Sequence, residues 1–362
     1  MFYYLSLIYI SHFSFLNIFK YLTFRSGGAL LTSLIFSFLL APVVINWLRK
    51  NQKNKRTVRE DLPRSHLVKK IGTPTMGGII ILISFILSTI LWADLNNTYV
   101  WIVLAITFGF GTLGFVDDYF KLTSKSNKGL KAGTKLIFQF LISSITLFFL
   151  YNFLDNQFIN TLAIPFYKDY LIDLGIFFPI FAFLVIIGTS NGVNLTDGLD
   201  GLAIVPVIIT ASCLGLIAYL VGNKIFSDYL NLFFIAGTGE LTVLVFSLVG
   251  ACLGFLWFNA HPAEVFMGDT GSLSIGATLG SISIIIKHEI VLFIIGFLFV
   301  IETMSVILQV AYFKIFSKRL FLMSPLHHHF EKKGWHENKV VIRFWILAVI
   351  FALIGLATLK LR

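Results

Sequence analysis

Long uninterrupted runs of apolar residues dominate this chain. A helix that crosses a bilayer needs about 20 predominantly apolar residues, and ten runs approach or exceed that length. They lie near 27–48, 76–93, 99–116, 136–154, 174–190, 201–222, 231–258, 271–286, 290–311 and 341–359. The runs are continuous, unlike the short alternating segments of a membrane β-barrel. The pattern therefore predicts an all-α polytopic membrane protein with about ten transmembrane helices.

Residues 1–26 precede the first run and are aromatic-rich but interrupted by polar and basic side chains. Such a segment is typical of the membrane interface, where long basic side chains reach toward water. Charged residues make up only 13% of the chain, against about 25% in soluble domains. We therefore expect one integral membrane domain over 1–362, with 1–26 as its interfacial N-terminal segment.

The positions of Lys and Arg predict the orientation. Most of the 28 lie in the segments 49–70, 117–135 and 312–343, each of which follows an odd-numbered run. The positive-inside rule then places these segments, and the loops 188–200 and 259–270, on the cytoplasmic side, with both termini periplasmic. Because the net charge of +10 is confined to loops, we expect anionic lipid or phosphorylated substrates as partners, and no nucleic acid.

The segment 188–201 places two asparagines and two aspartates between two apolar runs: Asn191, Asn194, Asp197 and Asp200. Asn194, Thr196 or Asp197 could be the N-cap of the sixth helix, but capping explains one such residue and not the whole cluster. Asp197 and Asp200 are three residues apart and would share a helix face. Since carboxylates near a membrane core are costly, this cluster indicates a functional site.

Two adjacent acids, Asp117 and Asp118, stand at the end of the third run, followed by Lys121 and Lys135. Neighbouring helical residues point about 100° apart, so we expect the two carboxylates to have different neighbours. Acids beside phosphate groups suggest a divalent cation, because bare carboxylates would repel the substrate. The alternative is a solvated helix end in which Asp118 pairs with Lys121.

The loop 259–272 carries Asn259, Phe266, Gly268 and Asp269 before the eighth run. An aromatic ring beside an open backbone could hold a planar base, with Asn259 supplying hydrogen bonds. Asp269 could instead be only the N-cap of the following helix.

A run of three histidines and a lysine are the remaining candidate site residues. Three consecutive side chains on a regular helix cannot all converge on one ion, so His327, His328 and His329 favour phosphate contact over a transition-metal site. The alternative is that they are simply a polar stretch of a basic loop. Lys70, just before the Pro74–Gly78 motif, could meet an anionic substrate or serve only as a positive-inside lysine.

Five motifs together resemble the polyprenyl-phosphate N-acetylhexosamine-1-phosphate transferase family. They occur in family order and span essentially the whole chain: Gly72–Gly78, Phe115–Tyr119, 191–201, 259–272 and Pro325–Phe330. The first and last of them resemble the branch that serves peptidoglycan synthesis. The resemblance implies a ten-helix fold, usually a homodimer, in the bacterial inner membrane, with a cytoplasm-facing groove open to the lipid bilayer.

The resemblance also implies a reaction. Phospho-MurNAc-pentapeptide would pass from UDP-MurNAc-pentapeptide to undecaprenyl phosphate with Mg²⁺ as cofactor, giving lipid I and UMP. Asp269 would be the Mg²⁺ ligand, and Asp117 and Asp118 would serve the lipid phosphate, with Asp117 orienting or deprotonating it. Direct attack and a covalent intermediate on either aspartate both stay open. The residues expected to bind substrate are Lys70, Lys135, Asn194, Asp197, Asp200, Asn259, Phe266, Gly268, His327, His328 and His329.

Two other functions are compatible with parts of this pattern. One is a transferase of the same family that uses UDP-GlcNAc. The other is a transporter that couples ions through buried carboxylates, which would place its site near the bilayer midplane between repeated halves. The acids here lie at one face and their motifs do not repeat, which favours a transferase.

Overall fold

The computed structural model describes residues 1–9, 11–52, 72–124, 129–153, 159–165 and 171–360. Its helices, numbered along the chain, are α1 Phe2–Tyr9, α2 Leu22–Asn51, α3 Gly78–Trp92, α4 Thr98–Thr123, α5 Ala132–Phe153, α6 Phe178–Thr196, α7 Ile204–Val221, α8 Lys224–Leu230, α9 Glu240–Asn259, α10 Gly268–Ile285, α11 Glu289–Ile295, α12 Phe297–Phe316, α13 Leu326–Lys332 and α14 Glu337–Ala357. Two short 3₁₀ helices cover Ser14–Lys20 and Gly175–Phe177. The all-α class predicted from the apolar runs is confirmed.

Each of the ten apolar runs overlaps a helix, although the seventh run, 231–258, is helical only from Glu240. Within the described part of the chain, eight helices are long and apolar enough to cross a membrane, and α3 is a shorter apolar helix. The ninth run is not one helix, because the chain breaks at Gly296 between α11 and α12. Hydropathy alone does not register that break, since apolar residues continue on both sides of it.

Helix α10 lies at the centre of the bundle, between α4 and α6. All of its residues from Thr270 to Ile285 are buried, so it faces other helices and not lipid. Its many Gly, Ser and Ala residues allow the neighbouring backbones to approach closely. At Gly276, for example, an added Cβ would lie 2.6 Å from the Ser190 Cα. This close packing fixes the position of the α10 N-terminus relative to α4 and α6.

The segment before the first span is shorter than predicted. Helix α2 begins at Leu22, and Arg25 is already inside it with 2% of its surface exposed. Two guanidinium nitrogens of Arg25 bind both carboxylate oxygens of Glu240, at 2.8 and 2.6 Å. This ion pair compensates the buried charge, so Arg25 does not interrupt the helix as its position in the sequence suggested.

A small antiparallel hairpin follows α5. Strand β1 Thr161–Ala163 pairs with β2 Leu171–Asp173, with Leu162 opposite Ile172. The buried Lys287 ammonium, between α10 and α11, donates to the carbonyl oxygens of Ile159 and Thr161 at 3.2 and 3.4 Å. The lysine therefore ties this hairpin to the end of α10 that is remote from Asp269.

Candidate active site

Three carboxylates from distant parts of the sequence meet at one end of the bundle. Asp117 and Asp118 come from the last turns of α4, and Asp269 comes from the first turn of α10. Ligand oxygens of the three lie within 4.8 Å of one another. Close helix packing makes this possible: a Cβ added to Gly114 would lie only 2.2 Å from the Asp269 carbonyl oxygen.

Two lysines neutralise most of this charge. The Lys121 Nζ atom lies 2.6 Å from Asp117 Oδ2, 2.9 Å from Asp269 Oδ1 and 3.5 Å from Asp118 Oδ1. Lys135, from the first turn of α5, pairs with Asp269 Oδ2 and lies 3.8 Å from Asp117 Oδ2. Among the residues that the structure describes, three carboxylates therefore face two ammonium groups, an excess of one negative charge.

Lys121 was not among the predicted site residues, although it is central here. Its spacing of four residues from Asp117 and three from Asp118 was the available signal, because such positions share a helix face. Reading the lysine only as the surface partner of Asp118 missed its contact with Asp269. That contact depends on how α4 crosses α10, which sequence spacing does not report.

The two adjacent aspartates have different partners, as predicted from helix geometry. Asp117 Oδ1 accepts a hydrogen bond from the Leu130 N–H at 2.7 Å. Asp118 Oδ2 accepts from both the N–H and the hydroxyl of Thr270, at 3.0 and 2.9 Å. Each aspartate is 2% exposed, so the alternative of a solvated helix end is wrong.

Asp118 also replaces the cap that the sequence assigned to Asp269. The residue at the N-cap of α10 is Met267, whose side chain makes no cap hydrogen bond. The Thr270 N–H, one of the free donors that every helix N-terminus leaves, is instead satisfied by Asp118 from α4. Asp269 is therefore free to direct its carboxylate toward the lysines.

The donor set suits a hard divalent cation. Such ions prefer carboxylate oxygens and need charge to offset their dehydration, and the three aspartates supply both. The Lys121 ammonium occupies the space among these oxygens in the structure, with contacts to all three carboxylates. A cation bound by all three would have to displace it.

The segment 188–201 contributes to a neighbouring region. Helix α6 continues through Thr196, and α7 begins at Ile204 without a side-chain cap. Neither Asn194 nor Asp197 is therefore the N-cap of the sixth span. Asn194 donates to Ser272 Oγ at 2.8 Å, which ties the end of α6 to α10 beside Asp269, and Asp197 terminates α6.

Asp200 and Asn259, both predicted to bind substrate, share one network with the loop that follows α9. Asn259 accepts from the Gly201 N–H at 3.1 Å and donates to the Val265 carbonyl at 2.8 Å. Asp200 Oδ2 accepts from the Ala263 N–H at 3.1 Å. Both side chains are almost fully buried, so they hold the loops 197–203 and 260–267 against each other.

Two residues outside the predictions join this network. His261 Nδ1 lies 3.1 Å from Asp200 Oδ2 and 3.9 Å from Glu337 Oε2, and the Asp200 N–H donates to Glu337 Oε1 at 3.1 Å. The three side chains could offer ligand atoms to one ion, but hydrogen bonds already account for their proximity. Their separation in sequence gave no signal of the contact.

The Pro74–Gly78 motif fixes the position of Phe266. The Phe266 N–H donates to the Pro74 carbonyl, and the Gly77 N–H donates back to the Phe266 carbonyl, both at 2.8 Å. Phe266 is thereby held half-exposed, two residues before α10 begins at Gly268. Lys70, expected beside this motif, lies outside the described residues.

Gly268 is required by both its backbone and its surroundings. Its φ of +72° lies in the left-handed region, which favours glycine. A Cβ added there would lie 2.7 Å from Asp118 Oδ2 and 2.8 Å from Thr75 Oγ1. The turn into α10 therefore brings bare backbone against the carboxylate cluster.

The three consecutive histidines have three separate partners, so they do not converge on one ion. His328 Nδ1 lies 2.8 Å from Glu331 Oε2, and His329 Nδ1 accepts from the Leu322 N–H at 3.1 Å. His327 points into the protein and is fully buried.

His327 pairs with an acid that the sequence did not single out. Its Nδ1 lies 3.2 Å from Glu302 Oε2, and Glu302 is fully buried within α12. A Cβ added to Gly198 would lie 2.2 Å from His327 Nε2, so the ring packs directly under the segment that carries Asp197 and Asp200. Glu302 is a single acid in an apolar run. The only signal of a role in the sequence was the free-energy cost of a carboxylate within a transmembrane segment.

Comparisons with known proteins identify the family of this chain. Glycosyl transferase family 4 matches residues 100–287, a range that contains Asp117, Asp118 and Asp269. The chain is 58% identical over 346 residues to the phospho-N-acetylmuramoyl-pentapeptide-transferase of Granulibacter bethesdensis, covering 96% of each protein. It is 59% identical over 347 residues to the protein of that name from Rickettsia montanensis, again covering 96% of each, and 58% identical over the full length of the one from Rickettsia massiliae. By these identities over nearly its whole length, the chain belongs to the phospho-N-acetylmuramoyl-pentapeptide-transferase family.

Proposed function

We propose that the chain transfers phospho-MurNAc-pentapeptide from UDP-MurNAc-pentapeptide to undecaprenyl phosphate, giving lipid I and UMP, in a Mg²⁺-dependent reaction. The observation that carries the proposal is the buried cluster of Asp117, Asp118 and Asp269 with two lysines. Family membership at 58–59% identity over nearly the whole chain supports the choice of substrates.

The reaction joins two anionic phosphates, which makes charge compensation the main task of the site. An oxygen of the lipid phosphate attacks the phosphorus that bears the sugar, and the bond from that phosphorus to UMP breaks. Such transfers depend on positioning and electrostatic stabilisation more than on covalent chemistry by the protein. Lys121 and Lys135, already within the cluster, would hold the phosphates while the carboxylates bind the cation.

We assign the Mg²⁺ ligand role first to Asp269. It is the most accessible of the three, with 13% of its side chain exposed against 3% for Asp117 and Asp118, and both of its oxygens contact lysines rather than backbone donors. Bound Mg²⁺ would neutralise the charge that develops on the phosphate oxygens.

The aspartates of α4 divide the remaining work. One oxygen of Asp118 is committed to Thr270, so we assign Asp118 to holding the α10 N-terminus and to supporting the cation. Asp117 keeps Oδ2 directed at Lys121 and Lys135, and we propose that it orients or deprotonates the lipid phosphate. Trapping a phospho-sugar on either aspartate would establish a covalent intermediate; failure to trap one in a slowed variant supports direct attack.

The nucleotide end of the site is proposed along α6, the 197–203 loop and the 260–267 loop. The half-exposed ring of Phe266 offers the stacking surface, and the buried network of Asp200 and Asn259 holds the loops that shape the pocket. The residues that we propose to bind substrate there are Lys70, Asn194, Asp197, Asp200, Asn259, Phe266 and Gly268, with His327, His328 and His329 bordering the sugar phosphate.

The same cluster supports the orientation. Helices α4 and α6 end near the carboxylate site, and α10 begins there. This arrangement is the one expected if all five polar motifs lie on the same side of the membrane. We propose that this side is cytoplasmic, because the lysine-rich and arginine-rich segments belong to it, and that both termini are periplasmic. We further propose a single membrane domain over 1–362 that assembles as a homodimer.

One assay tests the function. The purified full chain is given UDP-MurNAc-pentapeptide or UDP-GlcNAc with undecaprenyl phosphate, with and without Mg²⁺, and UMP release is measured. We expect release with the peptide-bearing substrate only when Mg²⁺ is present. Faster turnover of UDP-GlcNAc would favour the related transferase, and turnover that persists after chelation of divalent ions would exclude the metal.

A further inference from the structure

An apolar pocket with a basic rim lies away from the catalytic cluster, between α13 and α14. Its volume is about 310 Å³, and its lining is Phe330, Trp335, Arg343, Phe344, Ile346 and Leu347. The rings of Phe330 and Trp335 stack with centroids 4.6 Å apart. The volume is about ten times the ~30 Å³ that a water molecule occupies in the liquid, enough for part of a hydrocarbon chain.

Three exposed cations surround the aromatic floor of this pocket. Arg343 lies 4.2 Å above the Trp335 ring, Lys339 lies 5.6 Å from the same ring, and Lys333 lies 6.0 Å from Phe330. Cation–π contact holds such groups beside a ring without neutralising them. In the part of the chain that the structure describes, none of the three forms a salt bridge with a carboxylate.

The two nearby acids have partners outside the pocket lining. Glu331 binds His328 at 2.8 Å, and Glu337 accepts from the Asp200 backbone and approaches His261. Both acids are half-buried, whereas Lys333, Lys339 and Arg343 are exposed. The rim of the pocket therefore carries a positive charge, which would complement an anionic group.

The position of the pocket at the start of a candidate membrane-spanning helix leads us to expect it at the depth of the lipid head groups. Helix α14 is one of the membrane-spanning helices and begins at Glu337, so Arg343 stands near its entry into the bilayer. Below Arg343, apolar side chains recur every three or four residues along one face and are exposed. They are Ile346, Leu347, Ile350 and Ile354, at 54%, 39%, 44% and 50%.

We propose that this pocket is a binding site for an anionic phospholipid of the bilayer. The lipid phosphate binds Arg343 and Lys339, and one acyl chain enters over Phe344 and Leu347 and continues along the exposed face of α14. The site is separate from the reaction centre: its lining comes from α13, α14 and the turn between them, while the reacting aspartates lie on α4 and α10.

Lipid binding to the purified full chain in detergent tests the site. Native mass spectrometry measures the affinities for phosphatidylglycerol and for phosphatidylcholine of the same acyl chains. The test variant carries Arg343→Ala with Lys339→Ala. The matched control carries Lys314→Ala with Lys318→Ala, which removes the same charge from exposed positions at the end of α12.

We expect the wild type to bind phosphatidylglycerol at least tenfold more tightly than phosphatidylcholine. Each interfacial cation contributes about fivefold to the binding of an anionic lipid, so the test variant should lose about 25-fold and the control less than threefold. A second variant, Leu347→Trp, fills the pocket while keeping every charge, and should also weaken phosphatidylglycerol binding. UMP release by each variant confirms that the protein is folded.

Three results would overturn the proposal. Equal affinity for the two phospholipids would remove the anion selectivity. An equal loss in the control variant would reduce the effect to net charge. Stoichiometric displacement of phosphatidylglycerol by undecaprenyl phosphate, at concentrations that saturate the enzyme, would assign the pocket to the substrate.

Discussion

Replacing Asp269 with Asn tests the assignment of the cation site most directly. The amide keeps the size of the carboxylate but removes its charge and one acceptor oxygen. In the structure both Asp269 oxygens face lysines, with Lys121 Nζ at 2.9 Å from Oδ1 and Lys135 paired with Oδ2. The substitution therefore changes the electrostatics of the cluster while leaving the packing of α10 intact.

The expected loss follows from the charges at the cluster. Two unit charges about 4 Å apart interact by about 4 kcal/mol at an effective dielectric constant of about 20, so a divalent ion gains about 8 kcal/mol from one carboxylate. The ion must also displace the Lys121 ammonium from Asp269. By the same relation, losing that attraction offsets about 4 kcal/mol of the gain. A net loss of about 4 kcal/mol corresponds to roughly a thousandfold weaker cation binding.

The measurement is direct binding of Mn²⁺, followed by electron paramagnetic resonance, together with UMP release across a Mg²⁺ titration. Asp228→Asn is the control, because it makes the same change at an exposed position on α8. We expect the Asp269 variant to remain folded, to bind Mn²⁺ about a thousandfold more weakly and to lose turnover. If it binds Mn²⁺ within threefold of wild type, Asp269 is not a cation ligand.

Three further substitutions test the packing, the buried lysine and the nucleotide pocket. Gly114→Ala places a Cβ 2.2 Å from the Asp269 carbonyl oxygen and should cost about 1–3 kcal/mol and most of the activity. Gly27→Ala, where a Cβ meets nothing within 4 Å, should leave both thermal unfolding and UMP release unchanged. Burial lowers the pKa of Lys287 to about 8, below its unfolded value of about 10.4. Between these values the unfolded state binds more protons, so stability should rise with pH, and Lys287→Met should abolish that rise in a thermal-unfolding series. Phe266→Ala should weaken UDP binding in calorimetry with little change in unfolding temperature; unchanged affinity would remove the stacking role.

The sequence predicted the helices well, because the length of an apolar run sets whether it can cross a bilayer. It did not predict the break at Gly296, where hydropathy is continuous across the junction of α11 and α12. It also ended α6 too early, since Asn191 and Asn194 look like loop residues. In the structure they hydrogen-bond to Gln139 and Ser272, so the helix continues through them.

The candidate site was predicted in its parts but not in its assembly. The aspartates at 117, 118 and 269 were each identified, yet their meeting depends on the contact between Gly114 and the backbone of α10, which no local pattern reports. The pairing of Glu302 with His327 was missed for the same reason. The contacts of Lys121 with Asp117 and Asp118 could have been predicted from the sequence, because they follow from its spacing of four and three residues.

The way α10 begins determines which parts of the site can move. The positive end of a helix dipole favours a carboxylate in the first turn, and Asp269 occupies that position. Asp118 satisfies the Thr270 N–H across the helix interface, so α4 and α10 are held together at their ends by the same groups that define the cluster. Buried carboxylates fixed by backbone donors cannot reorient without losing those bonds. The lysine side chains are longer and more exposed, at 29% for Lys121 and 17% for Lys135. If the site admits a cation and two phosphates as proposed, we expect the ammonium groups to shift from carboxylate to phosphate, while Asp117 and Asp118, which accept backbone N–H bonds, stay in place.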